Sequence, residues 1–170
     1  MGNTGRVSAP LVLLVDEDPI TRDLLRPLLR PHGLEVVQAR ATVAALELLQ
    51  RVPRRFRLVV VSLEMSGLSG AALLETLRLF RPGLPAICLT AASTVAVDGR
   101  GSCLTKPPSA DELRARISEA LDGAPSRIPV STLAPEAIAR AREAFQHSGS
   151  LLEAARQVGL GISDQSTFGP

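Results

Sequence analysis

The side chains best suited to chemistry in this chain sit where aliphatic runs stop. Asp16 and Glu17 follow the run Leu11–Val15, Ser62 closes residues 58–62, Thr90 closes residues 85–90, and Lys106 stands just past residues 102–105. Carboxylates can hold a hard cation, hydroxyls can donate to an anion, and an ammonium can neutralise either partner. Composition also singles out Lys106, the only lysine among nineteen Lys and Arg residues. One use for it is structural, as the partner of buried acids in an ion pair that ties loops together. The other is to receive an anion or to sit beside a metal. His32 and His147 have no acidic or cysteine partner at ligand spacing and read as surface or cap residues. Cys88 and Cys103 make neither a disulfide framework nor a metal set, and are expected as small, reduced, buried strand residues.

A series of short strands must position these groups. A continuous aliphatic run such as Leu11–Val15 reads as a strand buried on both faces. A helix starts at Pro19, with apolar residues at Ile20, Leu24, Leu25 and Leu28, an expected kink at Pro27, and an end at Pro31 and Gly33. Further strands are predicted over 34–37, 58–62, 85–90 and 102–105. Helices are predicted over 42–52, with Val43, Leu46 and Leu49 inward, over 70–80, and over 109–121. The last opens on a capping box of Ser109 and Glu112. Strands alternating with amphipathic helices predict an α/β fold, a parallel sheet covered on both faces, with its functional groups at the strands' carboxyl ends.

The 170 residues suffice for one domain and a short appendage. With 45% apolar residues and only four aromatics, all Phe, the core must be aliphatic. Nineteen basic against seventeen acidic residues give no general field for nucleic acid or anionic membrane. The longest apolar runs fall far short of the roughly 18 residues of a membrane span, and no signal-peptide pattern opens the chain, so a cytoplasmic location is expected.

Four short motifs in order give the chain a family resemblance. Leu-Val-Leu-Leu-Val-Asp-Glu-Asp-Pro over 11–19, residues 58–70, Leu-Thr-Ala over 89–91 and Leu-Thr-Lys-Pro-Pro over 104–108 resemble the receiver domain of two-component response regulators. The resemblance implies a flavodoxin-like, five-stranded doubly wound sheet over 11–122. It also implies an acidic pair at Asp16 and Glu17 for Mg²⁺, a switch hydroxyl at Thr90, a phosphate-neutralising lysine at Lys106, and a cis bond before Pro107. The phosphoacceptor position falls on Ser62, where the family uses aspartate. Serine without an adjacent base is a poor nucleophile and supplies no anionic ligand, so phosphotransfer should fail and Mg²⁺ should bind weakly at most. Glu64, of the same strand parity as Ser62, reads as a solvated loop residue, the alternative being that it returns negative charge to the mouth of the site. The stretch from Thr90 to Lys106 is short for the family, which implies a reduced or lost fourth helix, and Cys103 and Ser66 replace an expected aromatic and proline.

After a tail over 1–10, the receiver-like domain and a Gly/Pro/Ser-rich linker over 123–132, residues 133–170 form a helical appendage. Helices are predicted over 135–146 and 151–158, the second closed by Gly159. The string over 149–160 resembles the helix-turn-helix of Fis-type domains, but residues 162–170 hold no basic side chain, so DNA binding is the disfavoured alternative. Ile138, Phe145, Leu151, Leu152 and Val158, the expected partner-contact face, must instead cover one another, a second copy or the receiver surface, with the space left by the reduced fourth helix as the alternative. The expectation is a non-enzymatic signalling protein with no required cofactor and no membrane contact. Its expected partners are proteins, a histidine kinase or another regulator among them, and a homodimer is the simplest association. A regulator that accepts phosphate on another carboxylate, Asp18 or Glu64, is the second alternative.

Overall fold

The structure, a computed structural model, describes residues 8–91, 103–123 and 133–165. Its strands are β1 Leu11–Val15, β2 Glu35–Ala39, β3 Phe56–Ser62, β4 Ala86–Thr90 and β5 Leu104–Thr105. Its helices are α1 Pro19–Leu29, α2 Thr42–Arg51, α3 Gly70–Phe80, α4 Ala110–Leu121, α5 Pro135–Ser148 and α6 Leu151–Gln165. All strand pairs are parallel, in the order β2-β1-β3-β4-β5, the flavodoxin-like arrangement. The chain runs outward from β1 to β2 and then crosses back to β3. The crevice at the carboxyl ends of β1 and β3 is therefore the switch point where α/β sheets of this kind place their sites.

Alternation along each strand divides the core. Val12, Leu14, Leu58, Val60, Ile87 and Leu89 pack with Leu25 and Leu29 of α1 and Leu113 and Ile117 of α4. Leu13, Val15, Val59, Val61 and Cys88 face the opposite side, against Ala45, Leu46 and Leu49 of α2 and Leu73, Leu74 and Leu77 of α3. Pairing extends two strands beyond their apolar runs: β2 matches β1 from Leu11↔Glu35 to Val15↔Ala39, and β3 begins at Phe56. Helix α1 continues as one helix past Pro27, because Pro27 and the Asp23 carbonyl that loses its donor both lie on the solvent side. A 3-10 turn, Arg30–His32, then ends at Gly33 with φ 71°. Ile20 and Leu24 are 69% and 58% exposed, and Val43 is also exposed rather than inward.

Register corrects the expectation for the cysteines. Leu89 pairs with Leu104, so Cys88 and Cys103 face each other on one side of the sheet. Their Cα atoms are 4.5 Å apart and they form a disulfide. The predicted fourth-helix region, residues 92–102, and the linker over 124–132 lie outside the described residues.

The appendage is an α-hairpin turned at Gly149 (φ 65°) and docked on α3 and α2. Leu151 and Ala155 join the sheet-facing core, while Leu133, Ala137, Ala141, Ala154 and Val158 enclose Ala72 of α3. Ile138, Phe145 and Leu152 are half-buried against the same surface, and the Phe80 and Phe145 rings stack at 4.7 Å. The Gln50 side chain clasps the turn with both ends of its amide, donating to Gly149 O at 2.7 Å and accepting from Leu151 N at 2.8 Å. The five apolar residues thus cover the flank of the receiver fold, and neither a second copy nor the fourth-helix space is needed to bury them. Nor does Gly159 close α6, which runs on to Gln165. A Cβ on Gly159 would lie 2.7 Å from Leu68 Cδ1, and one on Gly161 2.8 Å from Ala137 Cβ, so these glycines allow close approach rather than a turn.

Because Leu151 is fully buried in the core shared by β1, β3, α2 and α3, Leu151→Ala should lower the stability of the whole fold by about 2–5 kcal/mol in a single urea transition. An unchanged midpoint, or a separate early transition for the hairpin, would show that the hairpin is not part of this core.

Candidate functional site

Three strand ends meet around one ammonium group. Asp16, 1% exposed, follows β1 and is held by its own backbone, Asp16 N donating to Ala39 O at 3.1 Å. Arg22 of α1 donates to the Asp16 carbonyl at 2.6 Å and to Gln38 Oε1 at 3.1 Å, which locks α1 against the ends of β1 and β2. Asp16 Oδ1 accepts from Asp18 N at 2.9 Å, and Oδ2 lies 2.8 Å from Lys106 Nζ. Lys106 Nζ also donates to Oγ of Ser62, a fully buried residue at the end of β3. The lysine is delivered by β5, its N donating to Thr90 O at 2.8 Å, and its peptide bond to Pro107 is cis.

A second set of contacts lies alongside. Thr90 Oγ1, in a residue 2% exposed at the end of β4, donates to Glu64 Oε1. Ala91 N donates to both oxygens of the same carboxylate, at 3.2 and 3.3 Å. Partial burial opposes ionisation of Glu64, but the hydrogen bonds from Thr90 and Ala91 and the charge of Lys106 outweigh it, leaving the carboxyl below its ordinary value. Glu17 is exposed and turns away to accept from Ser66 N at 2.9 Å, and that bond holds its pKa down. Asp18 caps α1, accepting from Ile20 N at 3.1 Å and Thr21 Oγ1 at 2.8 Å, with its pKa likewise lowered.

The loop from β3 to α3 shapes the floor. Gly67 has φ 72°, Ser69 caps α3 through Ala72 N at 3.1 Å, and a Cβ on Gly70 would fall 1.8 Å from the Ser62 carbonyl oxygen. Only glycine lets α3 start this close to the end of β3. Gly70 and the Ala91 amide are components that residue-type reasoning did not single out, and Ser66 stood out only as a replaced proline, not as the donor to Glu17. Gly70 left a trace, as a lone glycine opening an apolar helix, but a backbone amide leaves none.

These donors do not fit a Mg²⁺ site. Mg²⁺ takes octahedral oxygen ligands and relies on carboxylates turned toward it. Among the described residues Asp16 is the only buried carboxylate, and Lys106 already pairs with its Oδ2. Glu17 is held by Ser66 and Glu64 by Thr90 and Ala91, and among the described residues no three acidic, His or Cys groups come together.

Comparison with known proteins agrees with this geometry. Residues 12–118 match the response regulator receiver domain model, and the chain belongs to that family. It is 36% identical over 117 residues to the transcriptional regulatory protein GlrR of Escherichia coli K12, an alignment covering 65% of this chain and 26% of that protein. It is 38% identical over 111 residues to an uncharacterized 14.6 kDa protein of Leptolyngbya boryana, covering 60% of this chain and 82% of that one. A response regulator receiver protein from Pseudomonas putida superposes with TM-score 0.56 at 29% identity, over 66% of this chain and 98% of that one. The chain thus spans about a quarter of the length of GlrR. No described helix is long and apolar enough to cross a membrane.

Lys106→Met should cost about 3–5 kcal/mol, since it strands a buried carboxylate, and Asp16→Asn with Lys106→Met should recover most of that loss. Equal losses in the single and double variants by chemical denaturation would show that the pair is not coupled. Titration calorimetry should find no Mg²⁺ binding in the low micromolar range, and Ser62→Asp should strengthen whatever binding exists by restoring an anionic ligand.

Proposed function

We propose that this chain is a pseudo-receiver: a non-enzymatic response-regulator domain that takes no phosphoryl group and signals through protein contacts. The observation that carries this reading is the state of Ser62. It stands in the acceptor position, fully buried, and its hydroxyl oxygen receives the Lys106 ammonium. A serine nucleophile needs a base to take its proton, and an ammonium paired with Asp16 at 2.8 Å is a donor, not a base. The two other carboxylates considered as acceptors are already engaged, Asp18 in capping α1 and Glu64 with Thr90 and Ala91.

The partners that fit are proteins of a two-component pathway, a histidine kinase or another regulator. The relatives include proteins named as transcriptional regulators and the sensor protein GacS of Pseudomonas syringae, 32% identical over 116 residues. A DNA-reading role is disfavoured because α6 passes helically through the stretch where a helix-turn-helix would turn, and the apolar face of the hairpin is occupied within the chain. Incubation with acetyl phosphate and Mg²⁺ should leave the intact mass unchanged by mass spectrometry. A stable gain of one phosphoryl group would overturn the reading.

A further inference from the structure

Glu64 lies two residues beyond Ser62, and the parallel pairing Ser62↔Leu89 brings that part of the chain beside the end of β4. There its carboxylate takes the Thr90 hydroxyl and the Ala91 amide, two adjacent donors that form a small anion cradle at the strand end. Lys106 braces the strand end through its backbone amide, bonded to Thr90 O, while its side chain is taken by Asp16 and Ser62. We propose that Glu64 is a resident anion that permanently occupies the switch donors, so that Thr90 and Ala91 stay engaged without any phosphoryl group and the domain holds one signalling state.

The inference rests on the pseudo-receiver reading and adds to it the reason why loss of the acceptor need not leave the switch idle. A hydroxyl and an amide on a carboxylate make charge-assisted bonds, stronger than neutral ones. A ligand carried on the same loop needs no encounter and cannot diffuse away, so its effective concentration at the donors is high. Asp16, Lys106 and Glu64 together carry one net negative charge, which opposes entry of a second anion. A two-state switch moves only when a ligand binds one state better than the other, and here the ligand is already bound.

The test compares full-length wild type with Glu64→Ala by amide hydrogen exchange and ¹H–¹⁵N NMR, with inorganic phosphate as the anion probe. Phosphate transfers no phosphoryl group, so the outcome is independent of the acetyl phosphate experiment. Loss of the carboxylate should speed Ala91 amide exchange at least tenfold while Val61 and Leu89 keep their protection, which shows that the fold is intact. Tens of millimolar phosphate should restore Ala91 protection in Glu64→Ala and shift neither Thr90 nor Ala91 in wild type. Unchanged Ala91 exchange in the variant would overturn the proposal, as would failure of phosphate to restore protection. A phosphate-induced shift of Thr90 and Ala91 in wild type would overturn it as well, and that arm does not depend on the variant folding.

Discussion

The Asp16–Lys106 ion pair is the interaction on which the rest of this site depends. A carboxylate buried to 1% exposure at the end of a central strand would be costly to leave uncompensated, and the chain's only lysine is what compensates it. Once Lys106 is drawn to Asp16, a second of its donors falls on Ser62, and β5 is fixed against β4 by the bond from Lys106 N to Thr90 O. In a receiver with an acidic acceptor, the same lysine would have two carboxylates and a phosphoryl group to balance. Here it has one carboxylate and a hydroxyl, and the balance closes without an external ligand.

The fold serves that closure. Strand order puts Asp16 and Ser62 on neighbouring strand ends, and Gly70 allows α3 to begin against the Ser62 carbonyl. Arg22 ties α1 to the Asp16 backbone, and the Cys88–Cys103 disulfide joins β4 to the approach of β5 two residue pairs below the Thr90–Thr105 pair. On the flank formed by α2 and α3, the α5–α6 hairpin covers α3 with small residues, Ala137, Ala141 and Ala154 against Ala72, and is clasped by Gln50. That flank is thereby removed from the surface available to partners, while Ile20 and Leu24 of α1 remain exposed near the site.

Much of this was legible in the chain. The aliphatic runs and helical periods located every strand and helix that the structure describes, and the strand-end rule brought Asp16, Ser62, Thr90 and Lys106 to one place, because both depend on local patterns that burial enforces. What escaped were properties of pairing. The cysteines meet because Leu89 pairs with Leu104, and β2 extends to Ala39 because β1 offers it partners, neither of which shows in hydrophobicity. Glu17, adjacent to Asp16 in sequence, turns to Ser66 instead of sharing its site, and Glu64 proves to be engaged with Thr90 rather than merely adding charge at the mouth. Gly159 was the most misleading residue, since a glycine that permits helix contact and a glycine that ends a helix look alike until the opposing surface is known.

The central claim is that the site is closed by its own side chains and does not respond to a phosphoryl group. Beryllofluoride, a phosphoryl analogue, tests it most directly when added with Mg²⁺ to the ¹⁵N-labelled wild-type protein. The backbone resonances of Ser62, Thr90, Ala91 and Lys106 should stay where they are. A second set of peaks for these residues in slow exchange would mean that the site takes the analogue, and would contradict the claim.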